Sequence, residues 1–513
     1  MFQDADGDSV HINSTWKIEE PESCSAGTQT SVILADDKAT EPVQKKHVEV
    51  QTDDADDVQL NVNEQPFDKQ KVLAFLKRVY PLVRSQLTEN ISSHAFHGYD
   101  VDWSEDYGGL DCMHTLTEPY LSSEIGVSGV SWSATGSTVA VSFGRLDHEH
   151  LCTHKAGVCT WNIDRQSLDA NKADVMLDCM SCVMCVAFHP STPGVLCAGT
   201  YNGDVLVWDL SKTDAKPIHA SPSENSHQDP VTSVVWTIDV ASRGKKYQIQ
   251  SVGSDGKVLT WALPNQTAAM LDLVAGHVLR TGNVVKSLKG GSTAASGQFG
   301  ASSVSFSTFD RRQFVVGCDS GNVFKCNLGH QTTSGNKGLR SPDASAGKPT
   351  GGSIGNESQM KSPITFPFVP LKGPVYGIDC SPFHRNVFLS CGTDGCIHFC
   401  SVLQNRPLFS ADAGHGYLYS IRWSPVRPLV CAVGSADGHL LLYDFKSSQS
   451  HPVLSLEGDS TKRAIVAVEF NCKRPQYVAC GGVNGSVKVY RLSHDLSHAA
   501  ANETRLLKDL IEA

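Results

Sequence analysis

Two groups of residues in this chain have the types of structural zinc ligands. Cys179, Cys182 and Cys185 are spaced three apart. His148, His150, Cys152 and His154 alternate, which on a strand would put all four on one face. Thiolate and imidazole together are the usual ligand set of closed, four-coordinate zinc. The surroundings argue against both groups. The cysteine triplet runs directly into an alternating apolar strand, where Cys packs as a small hydrophobe, and it has no fourth ligand at structural-site spacing. The histidine group sits in an irregular loop. The expectation is that neither binds metal.

Other chemistry is missing from the sequence. There is no Gly-x-x-x-x-Gly-Lys-Ser/Thr phosphate loop and no His-Glu-x-x-His zinc helix. The remaining acids and histidines fall at turn positions, where Asp hydrogen-bonds its own backbone. A non-enzymatic scaffold without catalytic residues or cofactor is expected.

The elements that carry these residues repeat. A pattern of Gly, any residue, apolar, two residues, then an aromatic or Cys begins at Gly203, Gly256, Gly321, Gly395, Gly438 and Gly485, and Ala156 holds the Gly position in a further copy. It places Trp161, Trp208, Trp261, Cys326, Cys400, Tyr443 and Tyr490 in register, with Asp209 after Trp208. Asn202, Asp255, Ser320, Asp394, Asp437 and Asn484 precede the six glycines. Asn-Gly and Asp-Gly tolerate positive φ at both positions, so type I′ hairpin turns are expected. An apolar run precedes each turn. Before it lies another alternating run, ending at Trp132, Phe188, Trp236, Phe306, Cys380, Trp423 or Phe470.

Four-strand units with an aromatic-Asp pair closing the third strand resemble WD-repeat blades. The fold class expected is all-β, a seven-bladed WD-repeat β-propeller over 112–492. The seventh unit lacks an outer strand after Tyr490, and the weakly alternating segment 112–121 is placed to close the ring. The Gly- and Ser-rich stretches 290–300 and 329–361 read as loop insertions, and 493–513 as a helix-like tail.

Charge separates the N-terminus from the rest. Residues 1–66 hold 15 Asp and Glu against 4 Lys, which accounts for the whole net charge of −11. No basic stripe exists for phosphate contacts, so nucleic acid is not an expected partner. No run approaches the ~20 apolar residues that span a bilayer, and membrane insertion is not expected. With 17 cysteines and no visible secretory signal, reduced thiols and a cytoplasmic location are expected.

The arm 1–66 is too polar to offset its chain entropy and should be disordered alone. It contains two related triplets, Thr28-Gln29-Thr30 and Val50-Gln51-Thr52. An extended peptide of this kind can add a strand to a partner's sheet edge, and two sites on one chain make tethering bivalent. Residues 67–93 follow, with Val72, Phe75, Leu76, Val79, Val83 and Leu87 at helical spacing and Pro81 inside. An amphipathic docking helix is expected, either kinked at Pro81 or restarted there. A linker, 94–111, leads to the ring.

This order of parts resembles the dynein intermediate chain family. Locally, CSPFHRNVFLSCGTDG (380–395) and IRWSPVRPLVCAVGS (421–435) are similar to that family, in particular to the WD-repeat chains of the ciliary cytoplasmic dynein-2. The resemblance implies a propeller that binds the motor heavy chain. It implies an arm whose triplets bind the hub-type light chain, a helix that binds the roadblock-type light chain, and pairing with a second, different intermediate chain. It further implies retrograde intraflagellar transport, cilium assembly, and location at cytoskeleton, cilium, axoneme and basal body or centrosome. An axonemal intermediate chain is the near alternative. A ubiquitin-ligase substrate receptor is the distant one, and its Trp-Asp-x-Arg signature is missing, because Leu210-Ser211 follows Trp208-Asp209 and Asn162 follows Trp161.

Overall fold

Each Gly-to-aromatic unit folds as one antiparallel sheet. The computed structural model describes residues 68–92 and, from 110 to 512, all but short stretches, of which 281–296 and 330–359 are the longest. The chain divides into two units, Met1–Val101 and Asp102–Ala513. In the second, the described residues form seven four-stranded sheets, the blades, numbered here in chain order. The inner strands are Gly126–Trp132, Val183–Phe188, Val231–Ile238, Ala301–Phe306, Val375–Cys380, Leu418–Trp423 and Ile465–Phe470. They pack side by side, the last against the first, around a central cavity of about 610 Å³.

The third strand of every blade carries its aromatic or Cys into the core between blades. Trp161, Trp208, Trp261, Cys326, Cys400, Tyr443 and Tyr490 are all buried. Truncating one of the buried tryptophans to Ala would cost about 3–5 kcal/mol.

The turns are not of the expected type. In the Asn-Gly and Asp-Gly pairs only the Gly has positive φ, +94° at Gly203 and +70° at Gly256, and the residue before it does not. The Gly256 N–H donates to the Gly253 carbonyl at 3.0 Å, which closes a turn with Gly one step beyond it. This is the longer hairpin loop in which Gly forms a bulge after a tight turn. A Cβ on Gly203 would also run into the carbonyl oxygen of His227, so Gly is fixed there by space as well as by φ.

A second irregularity recurs in all seven inner strands. The pairing register slips near the strand start, between Val127 and Gly129, Val183 and Cys185, Val231 and Ser233, and at the same place in the other blades. An extra residue there bends the strand and increases its twist.

The ring is closed by Leu110–Leu116, which pairs antiparallel with Val487–Leu492 as the outer strand of blade 7. Beyond it the tail forms two helices, His494–Ser497 and Glu503–Glu512. The second packs Leu507 into the core around Phe399, Tyr443 and Phe445. It is anchored by charge: Arg427, buried in the turn after Trp423, donates to Glu503 and, at 2.9 Å, to Asp444. Every described cysteine is a free thiol. Most of 290–300 and 329–361 lies outside the described residues.

Candidate functional site

The helix expected at 67–93 spans Lys69–Ser92 and runs unbroken through Pro81. Asp68 starts it, its Oδ1 accepting from the backbone N–H of Gln70 at 3.1 Å and of Lys71 at 3.4 Å. Pro81 has no N–H, so the carbonyl one turn before it loses its donor, but the helix continues. Phe75, Leu76, Val83 and Leu87 are exposed, and Val72 and Val79 are partly covered. Leu73, Tyr80 and Leu82 are exposed too. Thr28, Gln29, Thr30, Val50, Gln51 and Thr52 lie outside the described residues.

The turn residues of the propeller are placed to close hydrogen-bond networks, and blade 3 has the complete version. His227 Nδ1 donates to Asp255 Oδ1 at 2.9 Å, His227 Nε2 and Ser251 Oγ are hydrogen-bonded at 2.8 Å, and Trp261 Nε1 donates to Ser251 Oγ at 2.8 Å. Asp255 also accepts from the backbone N–H of Lys257 and of Gln228. Burial alone would raise its carboxyl, but the hydrogen bond and charge of His227 outweigh this and hold it below the ordinary Asp range. The network ties the blade-to-blade connection, the turn and the third strand together.

Other blades use parts of it. His398 Nε2 meets Asp394 at 2.7 Å, and His415 Nδ1 meets Asp437 at 2.6 Å, with His439 on the other oxygen at 3.0 Å. Asn484 Oδ1 accepts from the Ser486 N–H, and Asp209 from the Ser211 N–H, both ordinary turn bonds. The indole N–H groups of Trp161 and Trp208 and the Tyr443 hydroxyl have no hydrogen-bond partner among the described residues. Gly203, Gly256, Gly395, Gly438 and Gly485 all lie in the left-handed region.

In blade 2 the turn residue faces a different group. The side chain of Asn202 grips the backbone of Cys152, Oδ1 accepting from its N–H at 2.9 Å and Nδ2 donating to its carbonyl at 3.0 Å. Cys152 lies in the connection between the second and third strands of blade 1. Its Sγ is 3.2 Å from His148 Nε2 and 3.5 Å from His154 Nδ1, and it accepts from the Cys182 N–H at 3.1 Å. His148, Cys152, His154 and Cys182 therefore converge, with one ligand atom of each within 4.8 Å of the others. The two groups distinguished in the sequence are not the ones that form. Three members of the histidine group are joined by one cysteine of the triplet, Cys182, across two blades. Cys179 is buried at the end of the outer strand of blade 1, Cys185 points its Sγ at the Val231 carbonyl, and His150 is outside the described residues.

Desolvation raises the Cys152 thiol, but the Cys182 amide and His154 facing it bring it down to about 6, whereas burial pushes Cys182 up to about 12. Elsewhere, in the wall of the central cavity, burial pushes the Asp379 carboxyl up to about 6. It accepts from the Trp423 N–H at 2.7 Å and the Ser305 hydroxyl at 3.2 Å, while neighbouring Arg422 pairs with Glu469 at 2.7 Å. These charged groups satisfy one another. No helix among the described residues is long and apolar enough to cross a membrane.

The segments 177–209 and 407–444 match the family described as WD domain, G-beta repeat. Each starts at the outer strand of one blade and ends with the third strand of the next, the interlocked phase in which WD repeats build a ring. The molecule is thus a WD-repeat propeller. The chain is 35% identical to mouse cytoplasmic dynein 2 intermediate chain 2 over 96% of its own length and 88% of the relative's. It is 36% identical to the human protein of that name, over 85% and 78%. Human dynein axonemal intermediate chain 2 is more distant, 25% identical over 75% and 55%. The chain belongs to the dynein intermediate chain family.

Proposed function

We propose that this chain is a non-catalytic intermediate chain of a cytoplasmic dynein-2 type motor, acting as a multivalent tether. The carrying observation is the 35% identity to a cytoplasmic dynein 2 intermediate chain, which runs through nearly the whole chain and thus includes the arm as well as the ring. In this reading the propeller binds the heavy chain. The arm binds hub-type light chain through Gln29 and Gln51, and the Lys69–Ser92 helix lays its exposed apolar residues on a roadblock-type light chain. Helix-in-groove binding supplies the cover that such a helix lacks in water. A second, different intermediate chain is held beside it by the shared light chains, since tethering raises effective concentration. The work of the assembly is retrograde intraflagellar transport, in cilium and cytoskeleton.

The test is co-purification from ciliated cells of the tagged full chain, wild type against Gln29→Ala plus Gln51→Ala. Heavy chain is expected with both, and hub light chain with the wild type alone. Absence of heavy chain from both sinks the motor assignment, and equal recovery of light chain sinks the assignment of the triplets.

A further inference from the structure

We propose that His148, Cys152, His154 and Cys182 form a structural zinc site that staples blade 1 to blade 2. Tetrahedral zinc with sulfur at about 2.3 Å and nitrogen at about 2.0 Å sets its ligand atoms roughly 3.3–3.8 Å apart. The separations of 3.2 and 3.5 Å from the Cys152 sulfur to the two imidazoles lie close to that range, and all four ligand atoms fall within 4.8 Å of one another. Two sulfurs and two imidazoles suit zinc, whereas calcium and magnesium require oxygen.

The surroundings are those of a built site. Cys152 and Cys182 are buried, 3% and 0% exposed. The Cys182 amide points at the Cys152 sulfur, the kind of outer bond that stabilises a metal-bound thiolate. Asn202 fixes the Cys152 backbone from both sides, and the Tyr201 N–H holds the Cys182 carbonyl at 2.8 Å. Tyr201 stacks on His148 with ring centroids 4.0 Å apart, which orients the imidazole. Without a metal, His148 has a poor set of partners: its Nε2 meets only a sulfur, and its solvent-shielded Nδ1 meets nothing among the described residues. Three ligands come from one connection of blade 1 and the fourth from the connection entering blade 2. One ion would therefore close a cross-link between neighbouring sheets at the end of the ring where their turns lie.

The experiment is metal analysis of the full chain purified without chelator, together with the spectrum of its cobalt(II) form. One zinc per chain is expected, and cobalt should give the visible bands of a tetrahedral ion with a thiolate charge-transfer band. Cys152→Ser should abolish the charge-transfer intensity from that sulfur. His154→Ala, milder for the fold, should weaken zinc binding by more than about tenfold. Cys112→Ser, at an exposed thiol outside the cluster, should change neither. Circular dichroism shows whether each variant is folded. A folded wild type with no zinc, or zinc retained equally by Cys152→Ser and His154→Ala, overturns the site.

Discussion

Blades 2 and 3 have the same turn at the same place, and they use it for different purposes. In blade 3 Asp255 reaches His227 in the connection ahead of its own blade, and the chain of bonds ends on Trp261. In blade 2 Asn202 reaches out to Cys152 of blade 1, and Trp208 is left without a hydrogen-bond partner among the described residues. One scaffold position thus serves either to lock a blade internally or to hold its neighbour. A degenerate repeat can be a repeat whose turn has been given another task.

Of the two turns, the larger effect should come from breaking the internal lock. Asp255→Ala removes the acceptor of His227 and two backbone N–H groups inside the blade, and should cost about 3 kcal/mol in urea unfolding. Asn202→Ala removes two bonds at a less buried place and should cost about 1–2 kcal/mol. Equal losses would mean that the two turns are not wired differently. The tryptophans sharpen the contrast. Trp261→Phe and Trp208→Phe remove similar volume, but only the first also removes a hydrogen bond, so it should be the worse by about 1 kcal/mol. The reverse order would show that the indole bond in blade 3 contributes nothing.

The smallest effect is with pH. His227 holds the Asp255 carboxyl below its ordinary range, so the stability this provides is fully present above that range. It is lost as pH falls through the lowered value, because the unfolded chain takes up the proton first. The urea midpoint should therefore decline on acidification below about pH 4, less steeply in Asp255→Asn than in wild type. Blade 2 has Asn202 at this position and contributes no such slope. An unchanged slope in the variant would remove Asp255 from the account.

The ring was legible because its signal repeats: seven units in register, six starting at Gly and one at Ala156, each ending in an aromatic or Cys, mark the third strands and the inner strands that run through Trp132 to Phe470. The turn type was not legible. Asn-Gly and Asp-Gly suit both a two-residue turn and a longer one with Gly in the bulge, and only the count of paired residues on each side separates them. The inner-strand bulges have no composition of their own, since an extra residue in an apolar run changes the register and not the residue types. The cluster of His148, Cys152, His154 and Cys182 escaped for a different reason. Spacing rules look for ligands along one segment, and here the fourth ligand is a neighbour only because two blades stand side by side. The docking of the tail was hidden likewise, as Arg427 sits in a turn that looks ordinary until Glu503 returns to it.

The strand Leu110–Leu116 also imposes an order of events during synthesis. It is made before any blade, yet its partner Val487–Leu492 belongs to the last one. A growing chain must therefore carry an unpaired strand, and the open edges of the blades already formed, until nearly the whole protein has left the ribosome. Sheet edges held open for that long are sites of mispairing between nascent chains. The final pairing joins Leu110 to Leu492 across almost the full span of the ring, a slow kind of contact to make. A chain that stops short of residue 487 keeps six blades but neither the third strand of blade 7 nor the partner of Leu110–Leu116, and quality control would meet it as an unfinished sheet.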